Sequence, residues 1–212
     1  MSSNNSTPNS SEPRPILRRK RSSFSDIVKI VLLGGEGVGK SAITVRFLTK
    51  RFIGEYDQTI ENKYRHNTMI DNETVLIEVI DTCSKPESLS IKEDNIRWGD
   101  AFMIIYSITG RKGFDQVNEF RKKIQEIKKS SQGIPIMALA NKADLGHARQ
   151  VTTAEGEKLA TEAGCLFSEV SASEDPESIY EAFYELCREV IATRRRSRTF
   201  LDRVFGLNSY KK

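Results

Sequence analysis

The stretch Ile30–Ile43 reads Ile-Val-Leu-Leu-Gly-Gly-Glu-Gly-Val-Gly-Lys-Ser-Ala-Ile and leaves few folds open. Gly34 and Gly39 bracket Gly35, Glu36, Gly37 and Val38, and Lys40-Ser41-Ala42 follow, which is the G-x-x-x-x-G-K-S/T spacing of a phosphate-cradling loop. Glycines let the backbone curl so that successive N–H groups face inward at the start of a helix, where the partial positive charge favours an anion. Lys40 reaches terminal phosphates as a point charge, and the Ser41 hydroxyl is placed to bind Mg²⁺ beside them. A mostly apolar run, Ile27–Leu33, feeds the loop as a buried parallel strand would, and Ser41–Leu48 then reads as a helix. A ligand-free, glycine-rich turn is the alternative, and the strand-to-helix setting disfavours it. The loop implies a nucleotide.

At 212 residues the chain fits one domain with ends to spare. No apolar run approaches the ~20 residues of a membrane span, and the polar N-terminus does not read as a secretory signal. Cys83, Cys165 and Cys187 are odd in number and widely spaced, suggesting neither a disulfide framework nor a zinc site, so a reducing, cytoplasmic setting is expected. Residues 1–25 carry a net +4 and residues 193–212 a net +6, so the total of +4 leaves −6 for residues 26–192. The basicity belongs to the ends and bears on partners rather than on fold.

Met1–Ser25, rich in Ser, Asn and Pro, cannot bury enough apolar surface to offset its ordering entropy and is expected to be disordered. Its Arg18–Arg21 cluster reads as a solvated charge run, with a localisation signal or phosphorylation at Ser22 or Ser23 as alternatives. The body alternates strand and helix. Lys50–Ile60 is polar and irregular. Glu61–Ile70 and Thr74–Asp81 read as strands around an Asp71-Asn72 hairpin turn. Cys83–Trp98 starts irregularly and finishes in a helix, and Ala101–Ser107 is a buried strand. Phe114, Val117, Phe120, Ile124 and Ile127 share one helix face. Ile134–Ala140 is the next strand, Thr152–Ala163 a helix stopped by Gly164, Leu166–Val170 a last strand, and Pro176–Ile191 a final helix. The pattern predicts an α/β fold over 26–192, a doubly wound, mostly parallel six-stranded sheet with helices on both faces and one early antiparallel hairpin.

Asn141-Lys142-Ala143-Asp144 directly follows a buried strand, at the sheet edge where ligand groups collect in open α/β sheets. A carboxylate there could accept from the N1–H and the exocyclic amine of guanine, a donor pair that adenine lacks, so Asp144 would choose the base. A surface turn is the alternative. Val170-Ser171-Ala172 offers backbone N–H groups at the same rim. Asp81, at the end of its strand, could hold Mg²⁺ through water or simply cap a turn, and Thr59 can offer a hydroxyl to the same metal.

The order Gly34–Ser41, Thr59, Asp81-Thr82, Asn141–Asp144, Ser171-Ala172 resembles that of Ras-family small GTPases, P-loop nucleotide-binding proteins, over about residues 26–192. Within the family, Phe47–Ile53, Arg97-Trp98-Gly99, Gly156–Glu162 and Tyr180–Val190 look like the Ras-related and estrogen-regulated growth inhibitor subfamily. The resemblance implies a monomeric guanine-nucleotide switch that hydrolyses GTP to GDP with Mg²⁺. Phe52 would stack on guanine, Lys142 would lie along it, and the Ala172 N–H would meet its carbonyl oxygen, with Tyr56, Ser84 and Ser173 also at the nucleotide. Tyr56–Glu61 and Asp81–Ser90 would be switch segments ordered by the γ-phosphate, with effectors and regulators meeting 56–61 and 81–98.

Three positions depart from the family pattern. Asp81-Thr82-Cys83 is followed by Ser84 and Lys85 where the family usually has Gly-Gln. Ser84 lacks glycine's freedom in φ. Lys85 is a donor only, so it cannot also accept from an attacking water as the glutamine does. Glu36 stands where Ras has glycine, crowding both the glutamine site and an activating protein's arginine. Slow hydrolysis is expected, with a hydrolysis-deficient binding module as the alternative; a P-loop kinase or ATPase is disfavoured by Asp144. Glu36 and Lys85 could pair beside the γ-phosphate.

No cysteine follows Cys187 and Ser2 follows the initiator, so neither prenylation nor myristoylation is expected. Residues 194–198 read Arg-Arg-Arg-Ser-Arg, and Phe200, Leu201, Val204 and Phe205 share one side of a short helix. Residues 194–212 could contact anionic membranes weakly, serve as a nuclear import signal or calmodulin-type target, or be a solvated tail. No nucleic-acid reading motif accompanies the charge.

Overall fold

Each apolar run between glycine and polar punctuation becomes a strand. In chain order these are β1 (Asp26–Leu33), β2 (Asn62–Ile70), β3 (Glu73–Asp81), β4 (Ala101–Ser107), β5 (Ile136–Asn141) and β6 (Leu166–Glu169). The computed structural model describes residues 26–54, 61–83, 92–129 and 133–204. The 1–25 extension, Tyr56, Thr59, Ser84, Lys85 and the 205–212 end of the tail lie outside the described residues.

The strands form one six-stranded sheet in the order β2-β3-β1-β4-β5-β6. Only β2 runs antiparallel to its neighbour. Every residue of β4 is buried, as expected for a central strand covered on both faces, whereas edge strand β2 alternates. The β2–β3 connection is the two-residue turn read from Asp71-Asn72. Both residues have positive φ (49° and 64°), the requirement of a type I′ hairpin turn that twists with its strands.

Helices cover both faces. On one lie α1 (Lys40–Thr49) and α6 (Pro176–Val204), locked together where the Phe47 and Phe183 rings stack at 3.9 Å. On the other lie α2 (Glu93–Trp98), α3 (Arg111–Asp115), α4 (Val117–Lys128) and α5 (Thr153–Ala163). The predicted single helix carrying Phe114–Ile127 is broken at Gln116, yet its apolar residues still face one core cluster. Thr152 caps α5 with a reciprocal capping box to Glu155, and Gly164 (φ 64°) ends it. Trp98 closes α2 with the Lys63 ammonium 4.1 Å and the Lys29 ammonium 5.4 Å from its ring centroid.

The largest departure from the sequence reading is α6, which continues past Ile191 to Val204. Arg194 and Arg195 tie it to the body of the protein. Arg194 donates to the Ile27 carbonyl at 2.9 Å and pairs with Asp100 at 2.8 Å. Arg195 pairs with Glu73, and Arg196 with Glu189 one helix segment earlier. A second difference is small: β5 begins at Ile136, after Pro135, which has no N–H for the ladder, and includes Asn141. The chain after β1 and β6 leads to the α1/α6 face, and that after β4 and β5 to the opposite face. The connections after neighbouring strands β1 and β4, and after β5 and β6, therefore diverge at the C-terminal edge of the sheet, which is where an open α/β sheet forms its crevice.

Candidate functional site

Between β1 and α1 the backbone curls around Lys40. Gly34 (φ 150°) is packed so closely that a Cβ would press into the Ile105 carbonyl oxygen, and Gly39 (φ 97°) leaves no room beside the Asn141 amide. Both glycines are therefore sterically required. The Lys40 ammonium, on a residue only 7% exposed, donates to the carbonyls of Gly34 (3.1 Å) and Gly35 (2.9 Å). Burial pushes its pKa down, with Asp81, Cys83 and Glu36 acting the other way. Glu36 and Gly37 stand exposed at the tip of the loop, and Val38 turns inward to the core.

Asn141 is the strut of the site. Its side-chain N–H donates to the Val38 carbonyl at 2.8 Å, and its Oδ1 accepts from the Ala172 N–H at 3.2 Å. One buried amide thus ties the phosphate loop to the loop after β6. The Ala172 N–H, read from the resemblance as a donor to the base, is engaged with Asn141 here. The Val170 N–H, also read as a free rim donor, is spent on the sheet, bonding the Ala140 carbonyl at 2.8 Å. Asp144 sits in a 3₁₀ stretch (Ala143–Ala148) that Lys142 opens in the left-handed region, φ 68°. The Ser171 hydroxyl donates to Asp144 Oδ1 at 2.6 Å and contacts the Ser173 hydroxyl at 2.9 Å, which fixes the carboxylate plane.

Opposite the loop, Asp81 ends β3 with only 4% of its surface exposed. Ser41 hydrogen bonds to its carboxylate, and Asp81 Oδ1 is buried without a partner among the described residues. Burial raises the Asp81 pKa, against the pull of Ser41 and Lys40. A buried carboxylate oxygen left unmatched beside a serine hydroxyl is a hard-oxygen donor set, and it fits a Mg²⁺ that keeps most of its own waters.

These elements converge on a cleft of about 360 Å³. Gly37, Gly39, Lys40, Ser41 and Ala42 line one end, with Phe52, Asn141, Lys142, Asp144, Ala172 and Ser173 among the rest. Of the described residues expected at the site, Gly34, Gly35, Glu36, Val38, Asp81 and Ser171 are not in its lining. Sequence reasoning omitted Gly54, Thr82 and Leu145 from the site, and all three line the cleft. Thr82 was legible from its place beside Asp81; its hydroxyl donates to the Leu32 carbonyl at 2.7 Å and joins the ends of β3 and β1. Gln116 was not legible: its amide lies against Gly35, so a Cβ there would meet Gln116 Oε1 at 2.9 Å.

The glycine-rich loop between β1 and α1 and this strand order together define a small G domain of the Ras type. Residues 29–192 match the Ras family, and the chain belongs to it. Membership implies GTP/GDP binding. The chain is 49% identical over 179 residues to the Ras-related and estrogen-regulated growth inhibitor of Bos taurus and to that of Homo sapiens, covering 81% of this chain and 89% of each relative. It is 43% identical over 169 residues to the Ras-like protein family member 11B of Danio rerio, covering 77% of this chain and 69% of that relative. No helix among the described residues is long and apolar enough to cross a membrane.

Proposed function

We propose that the protein is a GTP-dependent switch with slow hydrolysis. The observation that carries this is one cleft of about 360 Å³ whose lining includes both Lys40 and Ser41 and Asp144, Lys142 and Ala172, so that the groups expected to meet a triphosphate and a guanine share one cavity. Ser41 and Thr59, with Asp81 through water, would hold Mg²⁺, which when bound would neutralise charge at the phosphate oxygens. The residues flanking the two switch segments are linked: Glu61 accepts from Asn95 at 2.8 Å and from Lys92 at 3.3 Å. That contact favours joint ordering of 56–61 and 81–98, the surfaces offered to effectors and regulators.

Slow turnover rests on Ser84, Lys85 and Glu36. Lys85 replaces a water-orienting glutamine with a pure donor, and Glu36 stands exposed at the loop tip where an activating arginine would enter. Preloaded protein should lose its γ-phosphate in single turnover more slowly than the ~10⁻⁴ s⁻¹ scale of intrinsic Ras hydrolysis. Turnover in seconds would overturn the slow-switch reading. Complete absence of turnover favours the hydrolysis-deficient binding module, for which the same three residues speak. Competition of ATP with GTP tests the base assignment. Membrane contact through 194–212 is weak at most, because Arg194, Arg195 and Arg196 already have carboxylate partners. Sedimentation with anionic liposomes checks this.

A further inference from the structure

We propose that Arg46 is a positioning residue that holds the two walls of the base cleft together; the proposal rests on the guanine-nucleotide reading above. Arg46 lies on α1 and is 8% exposed, in a part of the helix where an apolar side chain would serve packing as well. Its guanidinium reaches two separate segments. Nη1 donates to the Lys50 carbonyl at 3.0 Å, while Nη2 donates to the carbonyls of Ser173 at 2.8 Å and Glu174 at 3.0 Å. Lys50 is the left-handed residue (φ 61°) that ends α1, two positions before Phe52, and its own N–H bonds back to the Arg46 carbonyl at 2.9 Å. Ser173 follows Ala172 and, like Phe52, lines the cleft.

One rigid, planar fork therefore bridges the Phe52 segment and the Ala172–Ser173 segment. Among the described residues no carboxylate pairs with Arg46, and its Nε is buried without a partner. The charge is satisfied only by backbone carbonyls of the two walls. Keeping a buried cation with one unmatched N–H is unfavourable unless the bridge it makes is needed. Among the described residues the hydrogen bonds of Arg46 go to Lys50, Ser173 and Glu174, none of them in the phosphate loop. Its loss should thus loosen the hold on the base while leaving the phosphate loop intact, and it should speed release of GDP and GTP by the same factor.

The test uses the full chain and the variants Arg46→Met and Arg46→Lys. Release of fluorescent GDP and GTP analogues is measured with Mg²⁺ present, and binding of Mg²⁺–pyrophosphate is measured by calorimetry. Arg46→Met should release both nucleotides about ten-fold faster or more, with an unchanged ratio between them and an unchanged pyrophosphate affinity. Arg46→Lys, with a point charge that cannot span both walls, should fall between wild type and Met. A general loss of structure weakens pyrophosphate and nucleotide alike, so that pattern, or wild-type release rates in a folded Met variant, overturns the proposal. If Arg46→Met does not fold, wild-type release by Arg46→Lys does the same. Failure of the underlying reading looks different, because then wild-type protein itself binds no guanine nucleotide.

Discussion

Asp81→Asn should act in opposite directions on the empty and the loaded protein. In the structure the carboxylate is 4% exposed, has one orphaned oxygen and has a pKa raised by burial even with Ser41 and Lys40 pulling it down. Holding it ionised without metal therefore costs stability. An unsatisfied buried polar atom costs about 1–3 kcal/mol, and asparagine of the same shape removes the charge. In a chelator, nucleotide-free and at neutral pH, the variant should be more stable by about 1–2 kcal/mol, a rise in Tm of roughly 2–8 °C for a domain of this size. The pH dependence follows from the sign of the shift. A carboxyl whose folded pKa lies above its unfolded value contributes stability in the protonated form, fully present below the unfolded pKa and lost as pH rises through the folded one. The variant's advantage should accordingly vanish near pH 3.8, the ordinary value for this group, and be complete at neutrality. With Mg²⁺ and GDP the order should reverse, since the orphaned oxygen then has its partner. Calorimetric melting of both proteins in chelator and in Mg²⁺–GDP measures all four quantities. If Asp81→Asn is the less stable protein in chelator at neutral pH, the carboxylate is a structural cap and the metal assignment loses its main support.

Other residues give sharper single outcomes. Gly39→Ala, forced into φ 97° and into the Asn141 amide, should abolish nucleotide retention on gel filtration and destabilise the fold by about 1–3 kcal/mol in urea titration. The half-exposed Arg194–Asp100 pair should show a coupling of about 0.5–1 kcal/mol in a double-mutant cycle, falling with added salt; zero coupling would mean that this pair does not help hold α6 past Ile191. In single-turnover assays Lys85→Gln should quicken GTP hydrolysis appreciably only when combined with Glu36→Gly, whereas a full gain from Lys85→Gln alone would clear Glu36 of any obstruction.

Much of this architecture is readable residue by residue, because its signals are local. Ala101–Ser107 is apolar up to its final serine and bounded by Gly99-Asp100, and it is strand β4 at the expected residues. Thr152, Glu155 and Gly164 carry both ends of α5 within a dozen residues. What escaped was non-local. Arg194–Arg196 reads as a detached basic run until Asp100 and Glu73, far away in the chain, appear beside it. Arg46 looks like an ordinary helix-surface residue because its acceptors are carbonyls of Ser173 and Glu174, which carry no sequence signal. Gln116 is silent for the same reason, since a contact with Gly35 depends on how α3 and α4 meet. Side-chain chemistry singles out Lys40, Asp81 and Asp144 in the sequence, while the partners of the backbone N–H groups at Val170 and Ala172 emerge only from the sheet and the Asn141 strut.

Trp98 is the chain's one tryptophan, and two ammonium groups from different strands rest against its ring. Lys63 lies on β2, and the indole ends α2. Because an indole's emission responds to the electric field of nearby cations, the proposed switching predicts that travel of α2 relative to β2 changes the protein's ultraviolet fluorescence. Loading and unloading should then be readable in real time without a dye, on a native chain that supplies its own gauge.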